Sequence, residues 1–356
     1  LPERGITLLD GTKVHHLDLQ PQSDVHHLRL VDEQGERELD ARWVVDATGR
    51  SSLLKRQLGL AKKVNHHANA AWFRLGYPVD VNDWSEDPAW RGRVTNGERR
   101  LSTNHLMGPG YWIWIIPLSS NATSIGIVAD AEIHPFEQFN LFERALTWLG
   151  EREPQCARVV EEHQEQLQDF RVMKDYSYSC EQVYSEERWC LTGESGISLD
   201  PLYSPGGDLI AISNGLVCDL IINALNGEES EERAAIYNQL FLMFTTSWLS
   251  TYERQYTIMG NAQVMVAKVI WDTAVYWAIP GLLYCHDKLR TSGDSPGIAI
   301  NLLRFTILSE HVQAFLREWV TIAQPTASDI FIKYYDFAFT AKLHLGMTAP
   351  LTDEEF

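Results

Sequence analysis

The chain has 356 residues, with 30 Lys+Arg against 48 Asp+Glu for a formal charge of −18, and 45% of its residues are apolar. That mix belongs to a folded protein of two or three domains, and so large an acidic excess excludes a general nucleic-acid binder, whose surface must attract phosphate. Five cysteines without a CxxC pair exclude a disulfide scaffold and a Cys-rich zinc site, and are expected of a protein in a reducing cytoplasm.

Taken in order, LPERGITLLDG has neither the basic nor the apolar stretch of a signal peptide. Residues 5–50 read as strands, with turns at Asp10-Gly11 and Gln34-Gly35 and a buried run at Trp43-Val44-Val45. SSLLKRQLGL follows as a short amphipathic helix with Leu53, Leu54 and Leu58 on one face. Residues 66–130 are β-rich and aromatic, around a polar loop at 80–100; 136–168 read as helical, 175–194 return to strand, and from Leu209 onward the chain is mostly helical, at 229–279, 299–320 and 328–345. The longest near-apolar stretch, Ala262–Tyr284, is broken by Lys268, Asp272 and Pro280, so no membrane span is expected.

Three segments carry chemistry. In WVVDATGR a buried strand ends in Asp46-Ala47-Thr48-Gly49-Arg50, a small turn that lets a ligand approach the backbone, or serves simply to join a strand to a helix. In GYWIWIIP the alternation of a strand puts Trp112 and Trp114 on one face, as a flat wall or as an aromatic core pair. In WCLTGESGISLDPLYSPGGD a strand reaches Gly193-Glu194, a loop passes Asp200-Pro201 and Ser204-Pro205-Gly206-Gly207, and a long helix starts near Asp208. Its N-terminus offers unpaired N–H groups and partial positive charge to an anion. The adjacent pairs His15-His16, His26-His27 and His66-His67 point to opposite faces of any strand and are not metal ligands by spacing. His105 reads as a loop histidine, or with Asn104 as substrate-pocket lining, and Trp271, Tyr276, Trp277 and Tyr284 as packing, or as the lid of an apolar substrate pocket.

In this order WVVDATGR, WIWIIP and GESGISLDPLYSPGG resemble the flavin-dependent halogenases and the wider halogenase-like FAD-dependent oxidoreductase superfamily. WIWIIP fits the family's WxWxIP pattern at Trp112, Trp114, Ile116 and Pro117, and the resemblance spans roughly residues 1–225. It implies an α/β fold of the two-dinucleotide-binding-domain, glutathione-reductase-like type. The FAD domain would take residues 1–60 and return at 183–228, a substrate-binding sheet with helices would be inserted at 61–182, and 229–356 would form a helical C-terminal region.

The resemblance further implies FAD, reduced by a separate flavin reductase, acting with O₂ and a halide (chloride or bromide) on an electron-rich aromatic small molecule or a carrier-protein-bound substrate. Asp46, Thr48, Gly49 and Arg50 would hold cofactor from the first turn, and Gly193, Glu194, Asp200, Pro201, Gly206, Gly207 and Asp208 from the second. Ser204 and Gly206 would hold the halide, and Trp112, Trp114 and Tyr203 would line the pocket, the two indoles separating flavin from substrate.

Four departures stand out. Glu194 replaces the family's Asp, moving the carboxylate by about 1.5 Å. Pro205 has no N–H where a halide donor is expected, which favours a flavin monooxygenase without halide chemistry as the rival reading. Tyr203 stands where tryptophan halogenases carry a substrate-facing Glu. The sequence contains no G-x-G-x-x-G, so the N-terminal βαβ unit and the catalytic Lys are expected to lie outside this chain, and a non-catalytic fragment is a third reading. Lys13, Lys55, Lys62 and Lys63 read as solvated surface residues.

Overall fold

The computed structural model describes residues 2–94, 98–228, 231–291, 296–323, 331–333 and 336–351. The chain divides into two compact units: 1–63, 178–245 and 289–296 form the first, and 64–177, 246–288 and 297–356 the second; the cuts after 63 and 177 fall within five residues of the sequence-based bounds, and only the region after 228 is divided differently. The helical region after 228 is thus shared between them.

In the first unit Lys13–Asp18, His26–Asp32 and Gly35–Ala41 form an antiparallel sheet. The strand starts at Lys13 and not near Gly5, because Gly5 and Gly11 both take left-handed backbone and break the extended run. Val44–Asp46 pairs in parallel with Trp189–Leu191, Asp46 opposite Leu191, 145 positions further along the chain (191 − 46). The stretch read as strand from 175 to 194 supplies only Ser179–Cys180 and Trp189–Leu191. The 21-residue helix Pro205–Leu225 is the unit's spine. It is the one described helix long and apolar enough to cross a membrane, a property expected of no segment, and it buries Leu209, Ile212, Leu216, Val217 and Leu220 on one face. Tyr184, fully buried, donates to Ser213 Oγ at 3.0 Å and meets Phe241 edge-on.

The second unit holds a five-stranded antiparallel sheet in the order Leu167–Met173, Ala68–Leu75, Thr123–Asp130, Tyr111–Pro117, Asn104–Gly108. The edge strand Leu167–Met173 falls partly in the stretch read as helix. Its tertiary pairing decides the matter: Phe170 sits opposite Phe73 and Arg171 opposite Trp72. One face of the sheet, including Phe73, Ile113, Ile125 and Ile127, buries against helices Phe142–Arg152 and Pro154–Glu162. The polar loop at 80–100 contains the short turns Val81–Trp84 and Pro88–Arg91, capped by Asp80 and Asp87.

At the edge of this core Glu153 accepts a hydrogen bond from the buried Tyr111 hydroxyl at 2.9 Å. Burial pushes the Glu153 carboxyl above the usual carboxylate range, with the Tyr111 bond opposing it. The folded state therefore binds this proton more tightly than the unfolded chain, so stability falls as pH rises through the folded-state pKa. Glu153→Gln is expected to flatten that slope in thermal midpoints collected from about pH 4 to about pH 8; an unchanged slope contradicts the assignment.

The helical part of the second unit is tied to its sheet by the segment after Ser250: Gly110 N–H donates to Tyr256 O at 3.0 Å, and Trp112 Nε1 donates to the Tyr256 hydroxyl at 2.9 Å. The stretch read as continuous helix at 229–279 is two helices, Glu231–Ser250 and Ala262–Tyr276, the second started by an Asn261 cap on Val264 N–H. Pro296–Ile322 and Ala338–Thr348 follow, while 324–330 lie outside the described residues. Trp271 stacks on Phe305 and Trp277 packs on His344, whereas Tyr284 is 49% exposed.

Candidate functional site: twin turns at the ends of a parallel strand pair

The parallel pair Val44–Asp46 and Trp189–Leu191 brings two sequence-distant segments to one edge. Each strand runs into a tight turn, Gly49–Ser51 and Gly193–Ser195, and in each the leading glycine sits at φ +60. A side chain there strains the backbone. The turns are stitched together: Thr192 N–H donates to Asp46 O at 3.0 Å, and Ser195 Oγ donates to the same carbonyl.

Asp46 is only 4% exposed. One carboxylate oxygen accepts from Thr48 N–H at 2.8 Å and Thr48 Oγ1 at 2.6 Å, the other from Leu54 N–H at 2.7 Å. Its acceptor capacity is spent on shaping the first turn and starting helix Leu53–Gln57, so its bearing on a ligand runs through Thr48, Gly49 and Arg50. Arg50 projects from the turn: its guanidinium lies 4.0 Å from a Glu194 carboxylate oxygen and donates to Ser198 Oγ at 3.4 Å. The structure thus brings together Arg50 and Glu194, 144 residues apart (194 − 50), on side chains 33% and 49% exposed.

Lys55 corrects the sequence reading. It is 5% exposed, not a solvated surface residue; its ammonium donates to Gly196 O at 2.9 Å and stands 3.8 Å from the Tyr178 ring centroid. Burial pushes its pKa down, and the Arg50 charge adds to the effect. The helix Leu53–Gln57 is a little over one turn long, so a Lys beside Leu54 gave no periodic signal of being inside. Tyr178, which pattern reading also missed, donates its hydroxyl to Glu194 O at 2.6 Å and lies beneath Arg50 at 5.1 Å.

Beyond the second turn Asp200 is buried and caps its own loop, accepting from Leu202 N–H at 2.9 Å. Pro201 is exposed and its carbonyl accepts from Ser204 N–H. Tyr203 and Ser204 are consecutive non-glycine residues in left-handed backbone, at φ 66 and 57, a sparsely populated arrangement that aims the chain into helix Pro205–Leu225. The Ser204 side chain does not cap that helix, and Pro205 at its first position has no N–H to give. Gly206 and Gly207 are exposed, and a Cβ built at either meets nothing within 4 Å. Asp208 closes the first turn.

In the second unit Trp112 and Trp114 do share a face of the sheet, with rings tilted 47° at 5.7 Å, so they are not coplanar. Trp112 is 1% exposed, which leaves Trp114 as the indole with a reachable edge. Register adds a third indole: Trp72 lies opposite Gly126, and Gly126 opposite Trp114. The absence of a side chain at Gly126 lets Trp114 lie across it, where a Cβ would approach Cζ2 to 2.1 Å; Trp114 Nε1 donates to Ser124 Oγ at 3.0 Å. Trp72 was legible in principle, since Phe73 is so plainly a core residue that its neighbour must face the other way. His105 lies on strand Asn104–Gly108, not in a loop, opposite Trp114 and edge-on to Trp112 at 5.2 Å. Burial of its ring pushes its pKa down, although the residue as a whole is exposed.

A parallel pair ending in twin glycine turns, an Arg–Glu contact across them, and a glycine-rich helix start thus stand together in the first unit of a mixed α/β fold. The family model for tryptophan halogenase matches residues 2–204, and the chain belongs to that family. Among its relatives are flavin-dependent halogenase chlA of Dictyostelium discoideum, 23% identical over 78% of this chain and 47% of that protein, and tetracycline 7-halogenase of Kitasatospora aureofaciens, 31% identical over 52% of this chain and 33% of that protein. The chain therefore spans at most about half the length of these curated relatives. The mixed α/β fold is that of solved halogenases: the crystal structure of halogenase PltM in complex with phloroglucinol and FAD superposes with a TM-score of 0.65 at 18% identity, covering 96% of this chain and 70% of that one.

Proposed function

We propose that this chain serves an FAD-dependent halogenase of the two-dinucleotide-binding-domain type, using reduced flavin, O₂ and a halide to halogenate an electron-rich aromatic or carrier-bound substrate. The observation that carries the reading is the Arg50–Glu194 contact across the twin turns, beside glycines whose missing side chains leave space open. These residues fit the ribityl and ring portion of FAD. Glu194 offers a half-exposed carboxylate to hydroxyls, Arg50 a cation, and Gly206 and Gly207 amides at a helix N-terminus. No residue of this sequence supplies the dinucleotide fingerprint for the pyrophosphate.

Bound FAD would supply the oxidation of halide to an electrophilic halogen. The chain's own residues do the rest. Asp46 and Ser195 hold the turns in register. Gly206 N–H would be the backbone donor left to a halide here, since Pro205 has none. Trp114, backed by Trp72, offers an indole edge of the second unit to an apolar aromatic substrate. A flavin reductase and a carrier protein are the partners this reading calls for; halogenases of carrier-bound pyrrole, such as the 1H-pyrrole-2-carbonyl-[peptidyl-carrier protein] chlorinase of Pseudomonas fluorescens, 26% identical over 63% of this chain, support the latter.

The second reading, oxygenation without halide, is favoured specifically by Pro205. Product mass separates the two: a gain of about 34 for chlorination against about 16 for hydroxylation. The expected result is flavin uptake, seen as absorbance in the flavin bands, and, in the FAD-loaded enzyme supplied with a flavin reductase, a halide-dependent gain of about 34. A chain that stays colourless in excess FAD overturns both readings.

A further inference from the structure

We propose that Lys55 and Tyr178 are positioning residues for the flavin, bracing the Gly193–Gly196 turn from its buried side so that the Glu194 carboxylate is presented outward. The inference rests on the flavin reading of this site. Two carbonyls of that turn are held from below: Glu194 O accepts from Tyr178 OH at 2.6 Å, and Gly196 O accepts from Lys55 Nζ at 2.9 Å. Ser52 Oγ, from the other turn, also reaches Glu194 O at 3.5 Å. With its backbone pinned at both places, the Glu194 side chain leaves on the solvent side and stays 49% exposed.

The arrangement is costly, which argues for a use. Lys55 is removed from water, yet among the described residues no carboxylate lies within ion-pair distance of it. A carbonyl and the face of Tyr178 are its compensation. Arg50 approaches the same ring at 5.1 Å, so Tyr178 is in contact with two like charges. Losing the ring would let Arg50 leave Glu194 as well as freeing the turn.

Tyr178→Phe keeps the ring under both cations and deletes only the hydroxyl bond to Glu194 O. Its affinity for FAD, followed by quenching of flavin fluorescence, is expected to fall about 5-fold, the worth of one hydrogen bond. Its thermal midpoint without flavin should stay within a few degrees of the wild type. Glu194→Ala is expected to bind about 10-fold more weakly. If Tyr178 acts through Glu194, the double variant binds no more weakly than Glu194→Ala alone. Wild-type binding with Tyr178→Phe unchanged, or losses that multiply in the double variant, overturns the positioning role and leaves the flavin reading intact. No binding by the wild type ends both.

Discussion

Lys268→Met is expected to lower the unfolding free energy by about 3–5 kcal/mol, a large part of the roughly 5–15 kcal/mol that holds a domain together. Lys268 is fully buried in helix Ala262–Tyr276, yet its ammonium is well satisfied: Asp272 Oδ2 one turn on at 2.8 Å, Thr251 O at 2.8 Å and Gln313 Oε1 at 2.9 Å. Gln313 donates back to Asp272 Oδ1 at 2.8 Å from helix Pro296–Ile322, closing a ring of contacts across three segments. Truncating the Lys strands the Asp272 charge in an apolar interior, and that uncompensated charge is the main cost. Lys268→Met with Asp272→Leu removes both charges and is expected to recover most of the loss. Denaturant unfolding with tryptophan fluorescence measures both; equal stability of the single variant and wild type would show that the network is not formed.

Asp46→Ala is expected to cost roughly 3 kcal/mol, because Thr48 N–H, Thr48 Oγ1 and Leu54 N–H lose a charged acceptor inside the fold. The sharper test is Asp46→Asn. Only one of the two oxygens survives as an acceptor, and the amide that replaces the other turns N–H toward the Leu54 or Thr48 donor. The isosteric change should therefore rescue little. Because the lost bonds shape the Gly49–Arg50 turn, flavin affinity should fall by at least about tenfold. Denaturation and flavin titration of the two variants check this; an Asn variant as stable as wild type would mean that the carboxylate charge is dispensable.

Both networks show what a linear pattern conceals. Lys268 and Asp272 read in sequence as interruptions of an apolar run, which is correct, but their partner Gln313 lies 41 residues beyond Asp272. Lys55 reads as surface because charge is usually solvated; it is buried because Tyr178 and Gly196, from more than 120 residues away, close over it. Strand Leu167–Met173 has weak alternation with a register shift after Leu167, and only its partner strand Ala68–Leu75 makes it a strand.

What the sequence determined by itself is local: the glycines that permit left-handed turns after two strands, the alternation that puts Trp112 and Trp114 on one face, and the Pro205-Gly206-Gly207 start of a long helix. These follow from φ preference and side-chain period, which neighbouring residues settle among themselves. The tertiary structure alone decided the contacts that close over large sequence separations: Arg50 with Glu194, Lys55 under Tyr178, Trp114 laid across Gly126 beside Trp72. Their energies depend on desolvation and on partners that only the folded chain brings within reach.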